Sequence, residues 1–425
     1  MSNLVNRGKD TIKQHRKIFE NFSWVAALEL FVIVAPLITY PYLTGVLGLE
    51  LYGYIITAQV LVGYATLIID FGSNSVVAKH VSINRNDKTM LSEIVSSVLI
   101  VRGFLCAVCF VIYCGIVALI PSYRSHYVLF LLSYGLTLND VLFPRYFFQG
   151  IENMKVSSLI NIGIKLLFIL LVFLLVKTEG DYLLVPVLYT IGYTLAGIVS
   201  MYLIFNKMGL RFYKPPISRM MIYVKDSSSI FATNLITTIK DYFNYFLLGG
   251  FSGMSNVVVY DLGVKINVII NKPIGVISQV LFPRFAQNRD ERKLNKIMWG
   301  VFWMTLGVVV IINIFMPWIV DFFLHEKIDL LPLRIFSISP IFLSVSSFLA
   351  SNFFVAFSHN KYLLYSIIIT TIAYLGALGL VAVTDHMSSV YSFVSISLFS
   401  YFVEFLYRVI IKEKLMRKEE NASTK

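Results

Sequence analysis

The chain has 425 residues, of which 57% are hydrophobic and only 14% are charged, and its mean hydropathy is +0.75. A soluble globular chain carries about 25% charged residues, so this one lacks the charge to cover a water-facing surface of its size. The composition therefore excludes a soluble enzyme or binding domain. The net charge of +12 does not indicate a nucleic-acid partner, because the basic residues lie in short segments between apolar runs.

Apolar runs long enough to cross a bilayer recur along the whole chain. A hydrocarbon core of about 30 Å is spanned by about 20 mostly apolar residues in a helix. The predicted spans are 22–44, 53–76, 93–120, 126–148, 156–177, 182–205, 227–249, 256–282, 297–320, 331–357, 362–384 and 387–411. The sequence therefore predicts an all-α polytopic membrane protein of about twelve transmembrane helices.

The distribution of lysine and arginine predicts the orientation of these helices. If the N-terminus is cytoplasmic, the cytoplasmic segments carry 27 basic residues, of which the last six are Arg408, Lys412 and the four that follow them. The opposite loops then carry three, namely Arg124, Lys177 and Lys327. Because an excess of basic residues in short loops marks the cytoplasmic side, we expect both termini in the cytoplasm.

The spacing of the spans indicates two halves. Spans three to six and spans nine to twelve begin at positions that differ by a nearly constant offset of roughly 205 residues. Six spans per half give both halves the same orientation, as in parallel repeats, and such a two-lobed layout suits alternating access. The predicted organisation is an N-terminal lobe at 1–205, a cytoplasmic linker at 206–226, a C-terminal lobe at 227–411 and a cytoplasmic tail at 412–425.

Several motifs in chain order are similar to those of one transporter family. The first group lies within 21–80 and comprises Asn21-Phe22-Ser23-Trp24, Pro36, Pro41, Leu47-Gly48, Tyr52-Gly53 and Asp70-Phe71-Gly72. Further groups are RYFFQGIENM at 145–154, then Tyr260, Lys265-Ile266, Pro273 and Phe282-Pro283, and finally Pro332-Leu333-Arg334 through Asn352. In order and spacing, the chain resembles the polysaccharide transporter family, the Wzx-type flippases of the MOP superfamily.

This resemblance implies a MOP/MATE-like carrier of two six-helix lobes in the bacterial inner membrane. It also implies the substrate, an undecaprenyl-diphosphate-linked oligosaccharide repeat unit for O-antigen, capsule or exopolysaccharide synthesis. Partners implied in this way are the lipid-linked oligosaccharide, membrane lipid and, as candidates, other polysaccharide-assembly proteins.

Charged residues inside membrane spans are costly and commonly face a cavity or a partner. Span eight carries Asp261, Lys265 and Lys272, whose separations of four and seven residues place them on one helical face. If the resemblance holds, Lys265 is a candidate for holding the diphosphate and Lys272 for marking the route toward the cytoplasm. The alternative is an Asp261–Lys265 ion pair that serves packing alone.

Span seven carries a polar stripe with one lysine beside it. Its members are Asn234, Thr237, Thr238, Asp241 and Asn244, with Lys240 adjacent. We expect this stripe to line a substrate path, the alternative being hydrogen bonds between helices. Further candidate substrate-binding cations are Arg102 and Lys165 in the N-terminal half and Arg334 near the start of span ten; each is also able to extend to the membrane interface.

Three carboxylates within spans are candidates for proton or sodium coupling: Asp70, Asp241 and Asp261. Structural salt bridges are the alternative for each. The sequence contains no phosphate-binding loop for ATP hydrolysis. The three cysteines share one apolar run and the six histidines lie in loops or at span ends, so neither a catalytic nor a metal site is predicted and no cofactor is expected.

Three other functions remain open at this point. A flippase for the peptidoglycan lipid precursor would be expected to have additional helices beyond the twelve predicted for this chain. An ion-coupled drug or metabolite antiporter of the same superfamily would need acidic groups facing a cationic substrate, whereas span eight presents two lysines. A membrane-embedded glycan polymerase or acyltransferase would need a large external loop or a membrane-buried histidine, and the sequence has neither.

Overall fold

The computed structural model describes the backbone of residues 2–423 and the side chains of residues 23–417, except those of residues 237, 239 and 241. Within residues 2–423 the regular structure is entirely helical, and no strand occurs. The all-α class predicted from the sequence is therefore confirmed.

The first half of the chain contains nine α-helices. They are α1 (Ser2–Asp70), α2 (Ser73–Ile83), α3 (Lys88–Leu119), α4 (Pro121–Arg124), α5 (Tyr127–Tyr134), α6 (Leu138–Leu142), α7 (Arg145–Gly150), α8 (Met154–Leu175) and α9 (Leu184–Tyr202). Short 3-10 segments lie at Gly135–Thr137 and Glu179–Leu183, and a π-helical turn lies at Leu203–Lys207.

The second half contains seven α-helices and one π-helical turn. The helices are α10 (Ile217–Phe251), α11 (Met254–Asn288), α12 (Glu291–Leu324), α13 (Leu331–Phe336), α14 (Ser339–Leu349), α15 (Asn360–Val383) and α16 (Val390–Ser423). The π-helical turn, Ala350–Val355, continues directly from α14.

Aspartates begin two of the long helices. Asp87 caps α3 by accepting hydrogen bonds from the backbone N–H groups of Thr89 and Met90, at 2.9 and 3.1 Å. Asp290 caps α12, and the side chain and backbone N–H of Lys293 both bond to it, which lowers the pKa of its carboxyl. Such caps satisfy N–H groups that the first helical turn leaves without an intrahelical acceptor.

Ten helical segments of the described chain are long and apolar enough to cross a membrane. The first, Ser23–Ile83, contains the two predicted spans at 22–44 and 53–76; within it the helix breaks at Gly48, whose φ of 72° favours glycine. The helix α10, which carries predicted span seven, is absent from the ten because its charged and hydroxyl side chains lower its hydropathy. The chain is thus a polytopic helical membrane protein, and the number twelve stays a prediction.

The chain divides into two compact units, Met1–Ile239 and Lys240–Lys425, called here the N-terminal and C-terminal units. The N-terminal unit has a buried core where α2, α3 and α7 meet, centred on Phe147 and Phe148. The C-terminal unit has an aromatic core that includes Phe348, Phe353 and Phe354. The predicted lobe boundaries at 205 and 227 stay a prediction.

Candidate functional site

A closed network of polar side chains lies in the interior of the C-terminal unit. Asn244 donates its amide N–H groups to the Tyr260 hydroxyl and to Ser397 Oγ, both at 2.9 Å. Its amide oxygen accepts the Tyr374 hydroxyl at 2.6 Å, and Tyr260 and Ser397 are 3.0 Å apart. All four residues are buried, and they connect α10, α11, α15 and α16. The Asn244 amide, predicted to contact substrate, holds these four helices together in this structure.

Next to this network, Asp261 and Lys265 form an ion pair one turn apart on α11. The second carboxylate oxygen, Oδ1, accepts the Tyr245 hydroxyl at 3.0 Å. The Asp261 side chain is 8% exposed and that of Lys265 is 31% exposed. A buried carboxylate is costly unless it is paired and hydrogen-bonded, and here both its oxygens have donors.

The geometry of the pair limits what it can do. Among the described side chains, Asp261 accepts hydrogen bonds from Tyr245 and Lys265, and the Lys265 side chain is the more exposed partner of the ion pair. An anion that arrives at this exposed side would compete with Asp261 for the same ammonium. Protonation of Asp261, or binding of a cation to it, would weaken its hold on Lys265.

Lys240 lies close to the polar network and contacts an aromatic ring. Its ammonium is 5.2 Å from the centre of the Tyr401 ring, in a cation–π contact. Lys240, Asn244 and Tyr401 are among the residues around a cavity of about 10 Å³, which has room for about one water molecule and no ligand.

The N-terminal unit contains a second buried ion pair, between Arg102 of α3 and Asp70 at the end of α1. The guanidinium nitrogen lies 2.5 Å from the carboxylate, and the Arg102 side chain is 1% exposed. Arg102 also donates to Ser73 Oγ at 2.6 Å and to the backbone carbonyl of Asp140 at 2.7 Å, and it lies over the Tyr146 ring. These contacts connect α1, α2, α3 and α6.

The remaining predicted residues lie apart from these clusters. Lys165 on α8 and Lys272 on α11 are half-buried, and Arg334 on α13 is exposed. Asn234 on α10 is half-buried, whereas the side chains of Thr237 and Asp241 lie outside the described residues. The structure therefore brings together Lys240, Asn244, Asp261 and Lys265 within the C-terminal unit, and it pairs Arg102 with Asp70 in the N-terminal unit.

Arg408 is a third buried charged group, and the sequence did not predict it. It was counted there among the cytoplasmic basic residues. Arg408 is 5% exposed within α16 and pairs with Glu404 at 2.7 Å. It also donates to Ser366 Oγ at 3.1 Å and to the Ser346 carbonyl at 2.9 Å. The sequence does contain a signal for this buried group. Ser397, Glu404 and Arg408 are separated by seven and four residues, which places the three polar side chains on one face of the helix.

Comparisons of the sequence with a family model and with curated proteins agree with one another. A model of the family described as polysaccharide biosynthesis protein matches residues 18–289, which is well over half of the chain. A curated protein of Shigella dysenteriae with the name "Putative O-antigen transporter" is 26% identical over 256 residues. That match covers 59% of this chain and 63% of the relative, so the chain spans less than two thirds of that relative's length.

Solved structures share the fold over nearly the whole chain. An inward-facing multidrug resistance MATE family transporter of the MOP superfamily has a TM-score of 0.66 at 16% identity, with 90% of this chain and 96% of that chain covered. The lipid II flippase MurJ in an inward closed conformation has a TM-score of 0.65 at 12% identity, with 91% and 87% covered. Likeness at such identities shows the fold alone, and the predicted MATE-like fold is thereby confirmed.

Proposed function

Because the chain belongs to the polysaccharide biosynthesis protein family, we propose that it is a flippase for lipid-linked oligosaccharide. It moves undecaprenyl-diphosphate-linked repeat units from the cytoplasmic to the periplasmic leaflet of the bacterial inner membrane by alternating access. The name of the Shigella relative supports a transport role in surface polysaccharide synthesis. The protein acts as a carrier and not as an enzyme, with both termini in the cytoplasm.

The observation that carries this proposal is the ion pair on α11. A diphosphate in a membrane protein needs a cationic partner, and Lys265, whose side chain is 31% exposed, offers one. Lys272 follows on the same helical face, about 10 Å further along at 1.5 Å per residue. The two lysines supply successive contacts for an anionic headgroup along one helix.

The Asp261–Lys265 pair also provides a way to couple substrate binding to the binding of an ion. While Asp261 is ionised, it competes with the diphosphate for Lys265. A proton on Asp261 removes the competitor, so proton and substrate bind together, and a sodium ion at the carboxylate would act in the same way. Within the described part of the chain, Asp70 accepts hydrogen bonds from three side chains, those of Arg102, Ser73 and Asn74, whereas Asp261 accepts from two. Asp261 is therefore the less firmly held carboxylate and the first candidate for coupling, and Asp70 and Asp241 remain candidates from the sequence.

The substrate-binding set extends to the other predicted residues. Lys240 and Asn244 of α10 belong to it through the polar cluster next to the α11 pair, and Asn234 and Thr237 of the same helix are candidates from the sequence. Arg102, Lys165 and Arg334 are candidates for further contacts with the oligosaccharide diphosphate.

The test is a flipping assay with purified full-length protein in liposomes. A fluorescent lipid-linked oligosaccharide is placed in one leaflet, and a membrane-impermeant quencher reports its arrival in the other. We expect transfer that protein-free liposomes lack. The alternative, an ion-coupled drug or metabolite antiporter, predicts efflux of a cationic dye instead; dye efflux without lipid transfer would contradict the proposal.

A further inference from the structure

A cavity of about 210 Å³ opens beside the C-terminal part of α11, well apart from the small cavity at Lys240. It is lined by Ser278, Gln279, Phe282, Ser351 and Val355. Its volume is below the range of about 300–1,000 Å³ typical of whole small-molecule sites. It therefore fits one ring-sized group and not an entire oligosaccharide.

The backbone is irregular on one side of this cavity. Ser351 lies in the π-helical turn Ala350–Val355, where the Ala356 N–H bonds to the Ser351 carbonyl five residues earlier, at 3.1 Å. Isolated π-turns inside longer helices are frequent at functional sites. The turn widens the helix and places the Ser351 side chain beside α11.

The wall of the cavity includes a polar residue, Ser278, whose position is fixed by a hydrogen bond. The amide of Asn352 donates to Ser278 Oγ at 2.9 Å, and both residues are buried. Ser278 lies between Pro273 and Pro283 of α11. The Ser278 hydroxyl is thereby fixed where it borders the open space.

The lining has the chemistry that a sugar ring requires. A pyranose presents hydroxyl groups at its edge and C–H groups on its faces. Ser278, Gln279 and Ser351 supply hydroxyl and amide groups for the edge, and the Phe282 ring supplies an apolar surface for a face. A prenyl chain fits less well, because it has no group that could hydrogen-bond to the Gln279 amide or the Ser351 hydroxyl.

The cavity also lies at a suitable distance from the lysine face of α11. Gln279 follows Lys272 by seven residues, as Lys272 follows Lys265, so the three share one face with about 10 Å between successive members. A sugar joined directly to a diphosphate extends over a distance of this order. The predicted topology places this end of α11 toward the cytoplasm.

We propose that this cavity is a sugar-binding subsite, which takes one sugar ring of the headgroup while its diphosphate contacts Lys272. This subsite rests on the proposed flippase function and adds to it a place where the glycan is recognised. Lys265 and Lys272 recognise the diphosphate that all such substrates share, whereas the cavity distinguishes substrates that carry a sugar.

The test is a binding measurement with two probes on the full-length protein in lipid nanodiscs. One probe is a short-chain prenyl diphosphate that carries one glucose residue, and the other is the same prenyl diphosphate without sugar. Gln279→Leu and Ser351→Ala each remove one hydrogen-bonding group, and Val355→Leu fills the space without removing one. Gln287→Leu, at an exposed glutamine of the same helix, is the matched control.

Gln279→Leu and Ser351→Ala should each weaken binding of the glucose-bearing probe by about five- to tenfold, the equivalent of about one lost hydrogen bond. Val355→Leu should weaken binding of the same probe because its larger side chain occupies the space of the ring. Binding of the sugar-free probe should change by less than about twofold, and Gln287→Leu should leave both affinities unchanged. Equal weakening of both probes would assign the cavity to the prenyl diphosphate and overturn the subsite, as would no change for either. If the unmodified protein binds neither probe, the proposed function itself fails and the subsite with it.

Discussion

The Tyr245 hydroxyl donates a hydrogen bond to Oδ1 of Asp261 across 3.0 Å in the buried centre of the C-terminal unit. This bond occupies one carboxylate oxygen, and Lys265 occupies the other. A buried carboxylate is costly unless it is paired and hydrogen-bonded, so Tyr245 and Lys265 together hold Asp261 in the interior. The three side chains therefore form one unit, and a substrate that draws Lys265 away leaves Asp261 with the Tyr245 hydroxyl.

Removal of this hydroxyl should lower the stability of the protein. In Tyr245→Phe the buried carboxylate of Asp261 loses one of its two hydrogen-bond donors, which should reduce the free energy of unfolding by about 1–3 kcal/mol. Thermal unfolding in detergent measures this loss.

The control for this prediction is Tyr202→Phe, at an exposed tyrosine of α9 in the other unit, which should leave the melting temperature unchanged. A Tyr245→Phe melting temperature equal to that of the unmodified protein would show that this hydroxyl does not support Asp261.

Gly72 begins α2 at a point where no other residue fits well. Its φ is 76°, and a Cβ atom there would lie 3.0 Å from the backbone nitrogen of Phe231 and the carbonyl of Ser227 on α10. Gly72→Ala should therefore destabilise the protein by about 1–3 kcal/mol, from backbone strain and from displacement of α10. Thermal unfolding in detergent measures this loss.

Gly115→Ala is the matched control, since Gly115 lies inside α3 with nothing within 4 Å of an added Cβ atom. Alanine there should raise stability by about 0.5–1 kcal/mol. Equal melting temperatures for the two variants would mean that α10 does not pack against Gly72 in the membrane.

The orientation can be checked with reporter fusions. Fusions after residues 210 and 425 should be active only with a reporter that works in the cytoplasm, because these positions adjoin the basic segments. A fusion after Arg124 should be active only with a periplasmic reporter. A periplasmic signal at 210 or 425 would reverse the proposed topology.

The sequence predicted the fold class well, because transmembrane helices are long and apolar. It was less accurate where helices are interrupted. The predicted span at 126–148 is divided in the structure into α5, a 3-10 turn, α6 and α7. Phe143 has an extended backbone before Pro144, as expected for a residue that precedes proline, and window hydropathy does not register such a break.

The candidate site was predictable where its contacts are local. The spacing of Asp261 and Lys265 indicated an ion pair as one of two interpretations, and the structure contains that pair. The pairing of Arg102 with Asp70 was not predicted, because the two residues are 32 positions apart and meet only through the packing of α3 against α1.

Basic residues near the chain's end show a limit of the charge-distribution rule. Arg408 and Lys412 were both counted as cytoplasmic, yet their side chains are 7% and 0% exposed within α16. Lys412 bonds to Asn295 of α12 at 2.5 Å. The rule counts cations by position along the chain, so it does not distinguish a loop lysine from one that joins two helices.

In the proposed mechanism, Lys265 binds the diphosphate of the substrate in addition to neutralising Asp261. Lys265→Ala alone leaves a buried carboxylate without its partner and should lower stability, whereas the double variant Asp261→Ala/Lys265→Ala removes both charges and should regain it. Lys265→Arg keeps the charge with a different geometry and should retain part of the activity.

The most direct test is the rate of lipid-linked oligosaccharide transfer in liposomes for these variants, at equal amounts of folded protein. We expect Lys265→Ala and the double variant both to lose transfer, although the double variant has recovered its stability, and Lys265→Arg to be intermediate. Transfer at the unmodified rate by the double variant would show that the pair is purely structural and that Lys265 does not bind the diphosphate.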